Sequence, residues 1–511
     1  MIPDKPTIHK ISGPPGTGKS TTLLNVVQSL LSSGVDPEHI VYTTFTRAGA
    51  YEARDRACAR FKLPPDRLPY FRTLHSLCYQ LLPKTDVMSA GDWCVIAKTL
   101  GLHFSLSFTT EEGIPRGHTK GDYLLSLWSL GRVSLKTPAE VFNERESRIS
   151  GFADMPFAEF EHFIATVAAY KEAHGKIDFT DMLERFLTSD VLIHADYIII
   201  DEAQDLSALQ WKVVEKLYFT ANEAWIAGDD DQAIHEWNGA SPTTFIELVG
   251  HEYSVLPQSY RIPSSVHGMA EGIIQKLRRR LPKTYQPRQE AGRVSRVPDL
   301  EEIDLSSGSW LLLARNLCFL EGYIGLCRRK GLLFTGAGVR AQDSKVLRAI
   351  DTWQRLVLNQ QVTAQDAKCM YLFMSQRDRV KRGCKTLLQA VKDHSTITIS
   401  DLVRDFGLIA PGSMGWDKAL DMIPDEEREY LLAVQKNGGL TAAPRIEIST
   451  IHGAKGKEAD HVVVRPDMTQ RTYQSWIQSP DPEHRVFYVA VTRARQSLHL
   501  LAAQSEQAYP L

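Results

Sequence analysis

The chain has 511 residues, a hydrophobic fraction of 43% and a formal net charge of −2. The length favours several domains over one, and the charge excludes a protein held to nucleic acid by bulk positive charge. No apolar run reaches the ~18 residues of a membrane span, and MIPDKPTIHK at the start lacks a signal-peptide core. The seven cysteines form no CxxC pair, so we expect a cytoplasmic protein without membrane partner, structural zinc or iron–sulfur cluster.

The first predicted elements are a short buried strand at IHKISG, a loop GPPGTGKS and a helix STTLLNVVQSLLSSG. The helix places its leucines and valine on one face, and Gly34 can end it. This succession is the context of a P-loop, whose backbone N–H groups surround phosphate oxygens at the positive end of a helix. The predicted nucleotide-binding residues of this region are Gly13, Pro14, Pro15, Gly16, Thr17, Gly18, Lys19, Ser20 and Thr21.

Two of these residues have specific expected roles. Lys19 is expected to reach the β- and γ-phosphates, and the Ser20 hydroxyl to ligate Mg²⁺. A later apolar run at residues 197–200 predicts a strand buried on both faces, and it ends in Asp201 and Glu202. Asp201 is expected to hold Mg²⁺, and Glu202 to orient and deprotonate an attacking water. An acidic pair after a strand is also typical of a solvated turn, but the P-loop favours catalysis and hydrolysis.

Basic residues are concentrated in three short runs: KLRRR at 276–280, CRRK at 327–330 and RDRVKRGCK at 377–385. Each run is compatible with a nucleic-acid groove, and each is also compatible with a solvated helix face, which is the commoner arrangement.

Further segments follow in a characteristic order. They are VYTTFTRAGAYEARDRA (41–57), FRTLHSL (71–77), KIDFTDML (176–183), ADYIIIDEAQD (195–205), AWIAGDDDQAIHEWNGA (224–240), LPQSYRIP (256–263), IEISTIHGAKGKEADHVVV (446–464) and EHRVFYVAVTRARQSLHLL (483–501). In this order they resemble the motifs of the UvrD/Rep/PcrA family of superfamily 1 DNA helicases, over most of the chain.

The resemblance implies an α/β protein with two RecA-like P-loop NTPase core domains, each interrupted by a mainly helical insertion. The implied first core comprises residues 1–76 and 176–258, with insertion 1B at 77–175. The implied second core comprises residues 259–341 and 440–511, with a reduced insertion 2B at 342–439.

The resemblance also implies a nucleotide site between the cores. Arg261 and Arg493 would bring positive charge to the γ-phosphate, and such an arginine stabilises the transition state of phosphoryl transfer. Gln232 would sense the γ-phosphate, with Gln204 in the same polar network. Tyr260 would stack on adenine and Glu458 would reach the ribose.

For DNA, the resemblance implies base stacking on Phe45 and Trp237, although ordinary core packing is the alternative for both rings. The residues expected to touch phosphates or sugars are Thr44, Thr73, His75, His452 and Lys455.

These expectations combine into an ATP- and Mg²⁺-dependent DNA helicase or translocase. The resemblance implies 3′→5′ movement on single-stranded DNA, with tailed duplex DNA and a loading or accessory protein as further partners. The alternatives are a DNA-stimulated ATPase subunit of a repair, replication or defence complex that does not unwind by itself, and a nucleotide-binding switch.

Two segments depart from the family pattern. No glutamine that would read adenine precedes the P-loop, which puts selectivity for adenine in doubt. The family's IYGWRGA is here IHEWNGA, so that His235 replaces an aromatic residue, Glu236 a glycine and Asn238 an arginine. The predicted DNA pocket therefore keeps one stacking surface and loses one cation.

We expect Asn238→Arg to tighten binding of single-stranded DNA and to steepen its salt dependence, because each added phosphate contact releases counterions. A salt titration of affinity measures both effects, and an affinity equal to that of the wild type at every salt concentration would contradict the hypothesis.

Overall fold

The structure is a computed structural model that describes residues 6–44, 47–105, 110–111, 114–115, 119–144, 155–336, 344–440 and 443–511. The chain divides into two compact units. The first unit combines Met1–Arg293 with Thr469–Gln496, and the second combines Val294–Met468 with Ser497–Leu511. Each unit is described by itself.

The strands in chain order are β1 (Thr7–Ser12), β2 (Ile40–Thr44), β3 (Phe71–Arg72), β4 (Asp86–Val87), β5 (Thr110–Glu111), β6 (Ile114–Pro115), β7 (Lys176–Ile177), β8 (Tyr197–Asp201), β9 (Glu223–Gly228), β10 (Glu252–Val255), β11 (Gln258–Pro263), β12 (Gln286–Arg288), β13 (Arg293–Val297), β14 (Trp310–Ala314), β15 (Phe334–Gly336), β16 (Val362–Thr363), β17 (Thr396–Ile397), β18 (Ile446–Thr450), β19 (Ala459–Arg465) and β20 (Ala494–Leu501).

The helices in chain order are α1 (Lys19–Ser32), α2 (Arg47–Phe61), α3 (Leu74–Leu81), α4 (Ala90–Leu100), α5 (Lys120–Val133), α6 (Pro138–Glu144), α7 (Phe157–His174), α8 (Phe179–Thr188), α9 (Ala208–Tyr218), α10 (Pro242–Glu247), α11 (Ser264–Ile274), α12 (Glu321–Arg329), α13 (Ser344–Val357), α14 (Ala364–Tyr371), α15 (Cys384–Gln389), α16 (Ile399–Arg404), α17 (Trp416–Ala419), α18 (Asp425–Lys436), α19 (Gln470–Gln478) and α20 (Asp481–Val491).

The first unit is built on a six-stranded sheet in the order β10-β1-β9-β8-β2-β3, in which every neighbouring pair is parallel. Strand β8 explains why the sequence there is continuously apolar. Ile198 and Ile200 pack into one hydrophobic cluster with α9, while Ile199 packs into another with α1 on the opposite face. A strand covered on both faces needs no polar alternation.

The second unit contains a six-stranded sheet in the order β13-β20-β19-β14-β18-β15. Strand β14 is parallel to β18 and β19, and β15 is parallel to β18. The prediction of an α/β protein built on two sheet-based cores is therefore confirmed.

Helices dominate both predicted insertions, but the two insertions pack differently. Residues of α4, α5, α6 and α7 form an aromatic-rich hydrophobic cluster of their own. In the second unit, buried residues of α13, α16 and α18, such as Trp353, Leu402 and Leu431, share one continuous cluster with the sheet residues Leu312 and Ile448. The helices predicted for the second insertion therefore extend the core of the sheet in their unit.

Two segments that were predicted for the second core lie in the first unit. Residues 259–293 carry β11, α11 and β12, and residues 469–496 carry α19 and α20. Helix α20 is buried along most of its length and packs against α11 and against the turn Asp230–Gln232. These segments belong to the first unit because their contacts are made there.

In the described ranges no helix combines the length and apolar character of a membrane span. The same part of the chain holds no group of three or more His, Cys, Asp or Glu side chains arranged for a metal ion.

A buried ion cluster joins the end of β9 to the segment after α11. The Nζ atom of Lys283 lies 2.9 Å from an Asp229 oxygen and 3.1 Å from an Asp231 oxygen, and it also contacts Asp230. Arg280 donates to both oxygens of Asp231, at 2.9 and 2.6 Å. Burial alone would lower the pKa of Lys283, but the three carboxylates raise it well above its ordinary value.

All three basic runs form ion pairs within a unit, and in RDRVKRGCK Arg379 lies 3.8 Å from Asp421. In KLRRR, Arg279 pairs with Glu247 and Arg280 with Asp231. In CRRK, Arg328 pairs with Glu427, while Arg329 and Lys330 pair with Glu301.

We expect Lys283→Met to lower the free energy of unfolding by about 3–5 kcal/mol, because it leaves buried carboxylates without their cation. Urea denaturation measures this. The control is Arg279→Ala, which removes a surface pair and should cost no more than about 1 kcal/mol. Equal losses in the two variants would contradict the assigned importance of the buried cluster.

Candidate functional site

The predicted P-loop lies between β1 and α1 in the first unit, and the chain fixes it from within. The Gly13 N–H donates to the carbonyl of Gly228 at 2.9 Å, and the Thr17 hydroxyl donates to the carbonyl of Pro14 at 2.7 Å. Helix α1 begins at Lys19, after Gly18 in the left-handed conformation, and no side chain in the described ranges caps its first turn. Its first N–H groups can therefore bind an anion.

Strand β11 holds the loop from the other side. The Ser259 hydroxyl donates to the carbonyl of Pro15 at 2.8 Å, and the Tyr260 N–H donates to the carbonyl of Gly16 at 2.8 Å. A Cβ atom at Gly16 would lie 2.4 Å from the Cβ of Arg261, so only glycine permits this approach. Arg261 thus lies directly against the loop, and the Tyr260 side chain is 74% exposed beside it.

The end of β8 brings carboxylates to the start of α1. The Ser20 hydroxyl donates to Oδ2 of Asp201 at 2.7 Å, and Lys19 Nζ lies 3.4 Å from Oε1 of Glu202. Glu202 has a φ of 56°, which is unusual for a residue other than glycine. Strain of this kind is concentrated at functional sites, because the surrounding structure must enforce it.

The pKa values in this corner, formed by Lys19, Ser20, Asp201 and Glu202, are shifted by burial and by neighbouring charges. Burial and the neighbouring Glu202 raise the pKa of Asp201 above its ordinary value. Burial alone would lower the pKa of Lys19, but Glu202, Asp201 and Asp229 raise it. The corner therefore concentrates negative charge around one lysine. A cation held by oxygen ligands would offset this charge, and Ser20 and Asp201 offer the hard oxygen donors that Mg²⁺ prefers.

A chain of hydrogen bonds leads away from Glu202. Gln204 Nε2 donates to Glu202 Oε2 at 2.6 Å, and Gln204 Oε1 accepts from the Asp229 N–H at 2.8 Å. Gln232 Nε2 donates to Asp229 Oδ2 at 2.7 Å, and Arg493 Nη2 donates to Gln232 Oε1 at 2.7 Å. The four residues beyond Glu202 are buried. The predicted water-activating carboxylate and one predicted arginine thus belong to one network.

Helix α20 contributes two buried arginines, one near each end. Arg493 follows the helix and also donates to the carbonyl of Val489 at 2.9 Å. Arg485, in the first turns, donates to the carbonyl of Asp230 at 2.9 Å and to Oε1 of Glu236 at 2.8 Å. The segment from Asp230 to Glu236 is therefore held at both ends by one helix.

Four residues predicted for DNA contact lie in described parts of the first unit. Thr44 ends β2 beside Asp201, and Thr73 caps the start of α3 by accepting from the Ser76 N–H. His75 lies on α3, and the half-buried Trp237 has its ring centre 6.0 Å from that of His235. Phe45, the other predicted stacking residue, lies outside the described residues.

The remaining predicted residues lie in the second unit. His452, Lys455 and Glu458 share the loop between β18 and β19 and are half-buried there. The loop is ordered by its own hydrogen bonds, including one from the Gly453 N–H to the Thr450 hydroxyl at 3.2 Å.

The structure adds residues that the sequence had not indicated. Tyr42 donates to Asp201 at 3.2 Å, and Phe179 is 53% exposed with its ring centre 6.4 Å from that of His75. Asp229, Ser259 and Arg485 join the contacts described above. Asp229 and Ser259 belong to the motif segments GDDDQ and QSYRIP. The sequence alone does not show which polar residue of such a segment faces a loop that is distant in the chain.

Comparison with known proteins locates two family models on the chain. The UvrD/REP helicase N-terminal domain matches residues 5–251, and the UvrD-like helicase C-terminal domain matches residues 420–505. Together the two matches cover most of the chain, and the first contains the P-loop, Asp201 at the end of β8 and Glu202 after it.

Individual relatives are distant but consistent. The chain is 24% identical over 288 residues to the putative ATP-dependent DNA helicase YjcD of Bacillus subtilis, covering 53% of this chain and 37% of that protein. It is 25% identical over 274 residues to the ATP-dependent DNA helicase Rep of Escherichia coli, covering 48% and 38%. For the ATP-dependent DNA helicase PcrA of Staphylococcus aureus the identity is 24% over 288 residues, covering 52% and 38%.

The matched part thus spans less than two fifths of the length of these three relatives. The family models and the relatives agree with each other and with the order of motifs along the sequence. The chain belongs to the UvrD/Rep-like family of superfamily 1 DNA helicases.

Proposed function

We propose that this protein is an ATP-dependent DNA helicase or translocase that moves on single-stranded DNA in the 3′→5′ direction. The observation that carries the proposal is the buried hydrogen-bonded network from Glu202 through Gln204, Asp229 and Gln232 to Arg493. It gives a nucleotide site a direct mechanical connection to helix α20 and to the turn that carries Trp237. The names of the relatives, all ATP-dependent DNA helicases, support the same activity.

In this proposal the loop at residues 13–20 and the first turn of α1 bind the phosphates of ATP, and Lys19 neutralises the β- and γ-phosphates. Ser20 and Asp201 would hold Mg²⁺, which when bound draws negative charge from the phosphate oxygens. Tyr260 offers an exposed ring face to adenine.

Glu202 is the general base of the proposed hydrolysis. It accepts a proton from water as the water oxygen bonds to the γ-phosphorus and the bond from that phosphorus to its bridging oxygen breaks. Gln204 donates to Glu202 and keeps the carboxylate oriented. Arg261, packed on the loop, and Arg493, at the far end of the network, would stabilise the charge that develops on the phosphoryl oxygens.

The proposed path of single-stranded DNA in the first unit combines aromatic and small polar groups. Trp237 and Phe45 would stack on bases, as would the exposed Phe179, which adjoins His75. Thr44, Thr73 and His75 would contact phosphates and sugars. In the second unit His452 and Lys455 would do the same.

The rate of ATP hydrolysis measured in parallel without nucleic acid, with single-stranded DNA, with duplex DNA and with RNA tests the proposal. We expect the greatest stimulation by single-stranded DNA. Strand displacement on duplexes with a 3′ or a 5′ tail then tests unwinding and direction. Stimulation without displacement would indicate a translocase that depends on a partner, and a slow rate that ignores DNA would indicate a nucleotide switch.

We expect Lys19→Ala to abolish ATP hydrolysis and to leave single-stranded DNA binding largely intact, because Lys19 contacts the P-loop corner and no part of the proposed DNA path. Steady-state ATPase assays and fluorescence anisotropy with a labelled oligonucleotide measure the two properties. A parallel loss of DNA binding and of thermal stability would show that the variant had lost its fold.

Arg493→Ala should preserve ATP binding and lower kcat by about 10³–10⁵-fold, the range of an arginine that stabilises phosphoryl transfer. Binding of a fluorescent ATP analogue and single-turnover hydrolysis separate the two effects. An unchanged kcat would remove Arg493 from the proposed chemistry.

A further inference from the structure

Glu236 is the one acidic replacement in the IHEWNGA segment, where the family pattern has glycine. The structure gives this carboxylate a definite partner: Arg485 Nη1 donates to Glu236 Oε1 at 2.8 Å. The Arg485 side chain is 5% exposed and that of Glu236 is 37% exposed, so the pair lies at the edge of the interior. An ion pair in such a position is screened less by water than a surface pair.

Arg485 is itself fixed by the backbone. Its Nε donates to the carbonyl of Asp230 at 2.9 Å, and its Nη2 donates to the carbonyl of Arg279 at 3.1 Å. All three nitrogens of the guanidinium group thus have acceptors. Because a guanidinium group is planar, these bonds hold it in one orientation, and Glu236 accepts the hydrogen bond from its Nη1 atom.

The geometry therefore ties the Trp237 turn to helix α20 at a point far from Arg493. Gln232 binds Arg493 beyond the end of the helix, and Glu236 binds Arg485 near its start. Between these points the chain is buried, with Ala233 at 0% and Ile234 at 3% exposure. A segment held at two points follows a displacement of the helix as one body. Without the Glu236 bond, the described hydrogen bonds that Arg485 and Arg493 donate to Asp230 and Gln232 would hold this segment at one end only.

We infer that Glu236 is a positioning residue that transmits movement of α20 to the turn carrying Trp237 and so couples nucleotide binding to DNA binding. This inference rests on the proposed function. Its physical content is a coupling free energy between two sites, which by linkage changes the affinity of each ligand by the same factor when the other is bound.

The test measures the dissociation constant of a fluorescein-labelled oligo-dT with and without the non-hydrolysable analogue AMP-PNP and Mg²⁺. The ratio of the two constants is the coupling factor, for which about 5–150-fold is typical of coupled sites. We expect Glu236→Gly to lower this factor by roughly fivefold or more. A purely structural role would shift both constants together and leave their ratio unchanged.

A matched control is Glu247→Gly, which removes an exposed acid in the same unit whose described ion pair is with the Arg279 side chain and not with a residue of α20. It should keep the wild-type coupling factor. Glu236→Gln keeps an acceptor oxygen and loses the charge, so we expect about a twofold loss, since charge-assisted hydrogen bonds are roughly twice as strong as neutral ones. This variant carries the test if Glu236→Gly does not fold.

The inference is overturned if Glu236→Gly retains the wild-type coupling factor, or if Glu247→Gly lowers that factor as much as Glu236→Gly does. If Glu236→Gly does not fold, the inference is overturned by a folded Glu236→Gln that keeps the wild-type coupling factor. Failure of the proposed function looks different. In that case the wild-type protein itself shows a coupling factor of one and an ATPase rate that ignores DNA.

Discussion

The first unit depends on one constraint: its buried polar groups must form hydrogen bonds or ion pairs with one another. Glu202, Gln204, Asp229, Gln232 and Arg493 form a continuous path in which each side chain is bonded to the next. In a region of low dielectric constant an unpaired member would cost more than a paired one contributes, so such a network is stable in one arrangement or in another complete one. In the proposed function, nucleotide binding would shift the network from this arrangement to a second complete one.

The same constraint explains where the unit ends along the chain. The segments at 259–293 and 469–496 supply the cations that this network and its neighbours need, namely Lys283, Arg280, Arg485 and Arg493. The carboxylates of Asp229, Asp230 and Asp231 are buried at the end of β9 and would be costly without those cations. A domain boundary placed after residue 258 from motif order alone separates these three carboxylates from the lysine and arginines that neutralise them.

Much of the fold was predictable because its signals are local. The P-loop, the strand before it and the helix after it occupy one short stretch, and the apolar run before Asp201 predicts a strand covered on both faces, as Ile198, Ile199 and Ile200 show. The contacts that build the site were not predictable in this way. Lys283 and Asp230 are 53 residues apart in the sequence, and Arg485 and Glu236 are 249 residues apart. Neither separation produces a periodic pattern from which the contact could be predicted.

The basic runs show that the partners of charged residues are equally hard to predict from local sequence. From the sequence, all three resemble candidate nucleic-acid surfaces, yet each forms ion pairs within its own unit, through Arg280, Arg328 and Arg379 respectively. The third, at 377–385, lies on the second insertion and exposes Arg377, Lys381 and Arg382 to water. The net charge of −2 gives no bulk attraction to a phosphate backbone, and the asparagine at position 238 removes the cation that the family pattern has there. In the proposed function, single-stranded DNA is held mainly by ring faces and small polar groups, and contacts of this kind neutralise no phosphate charge and so release no counterions.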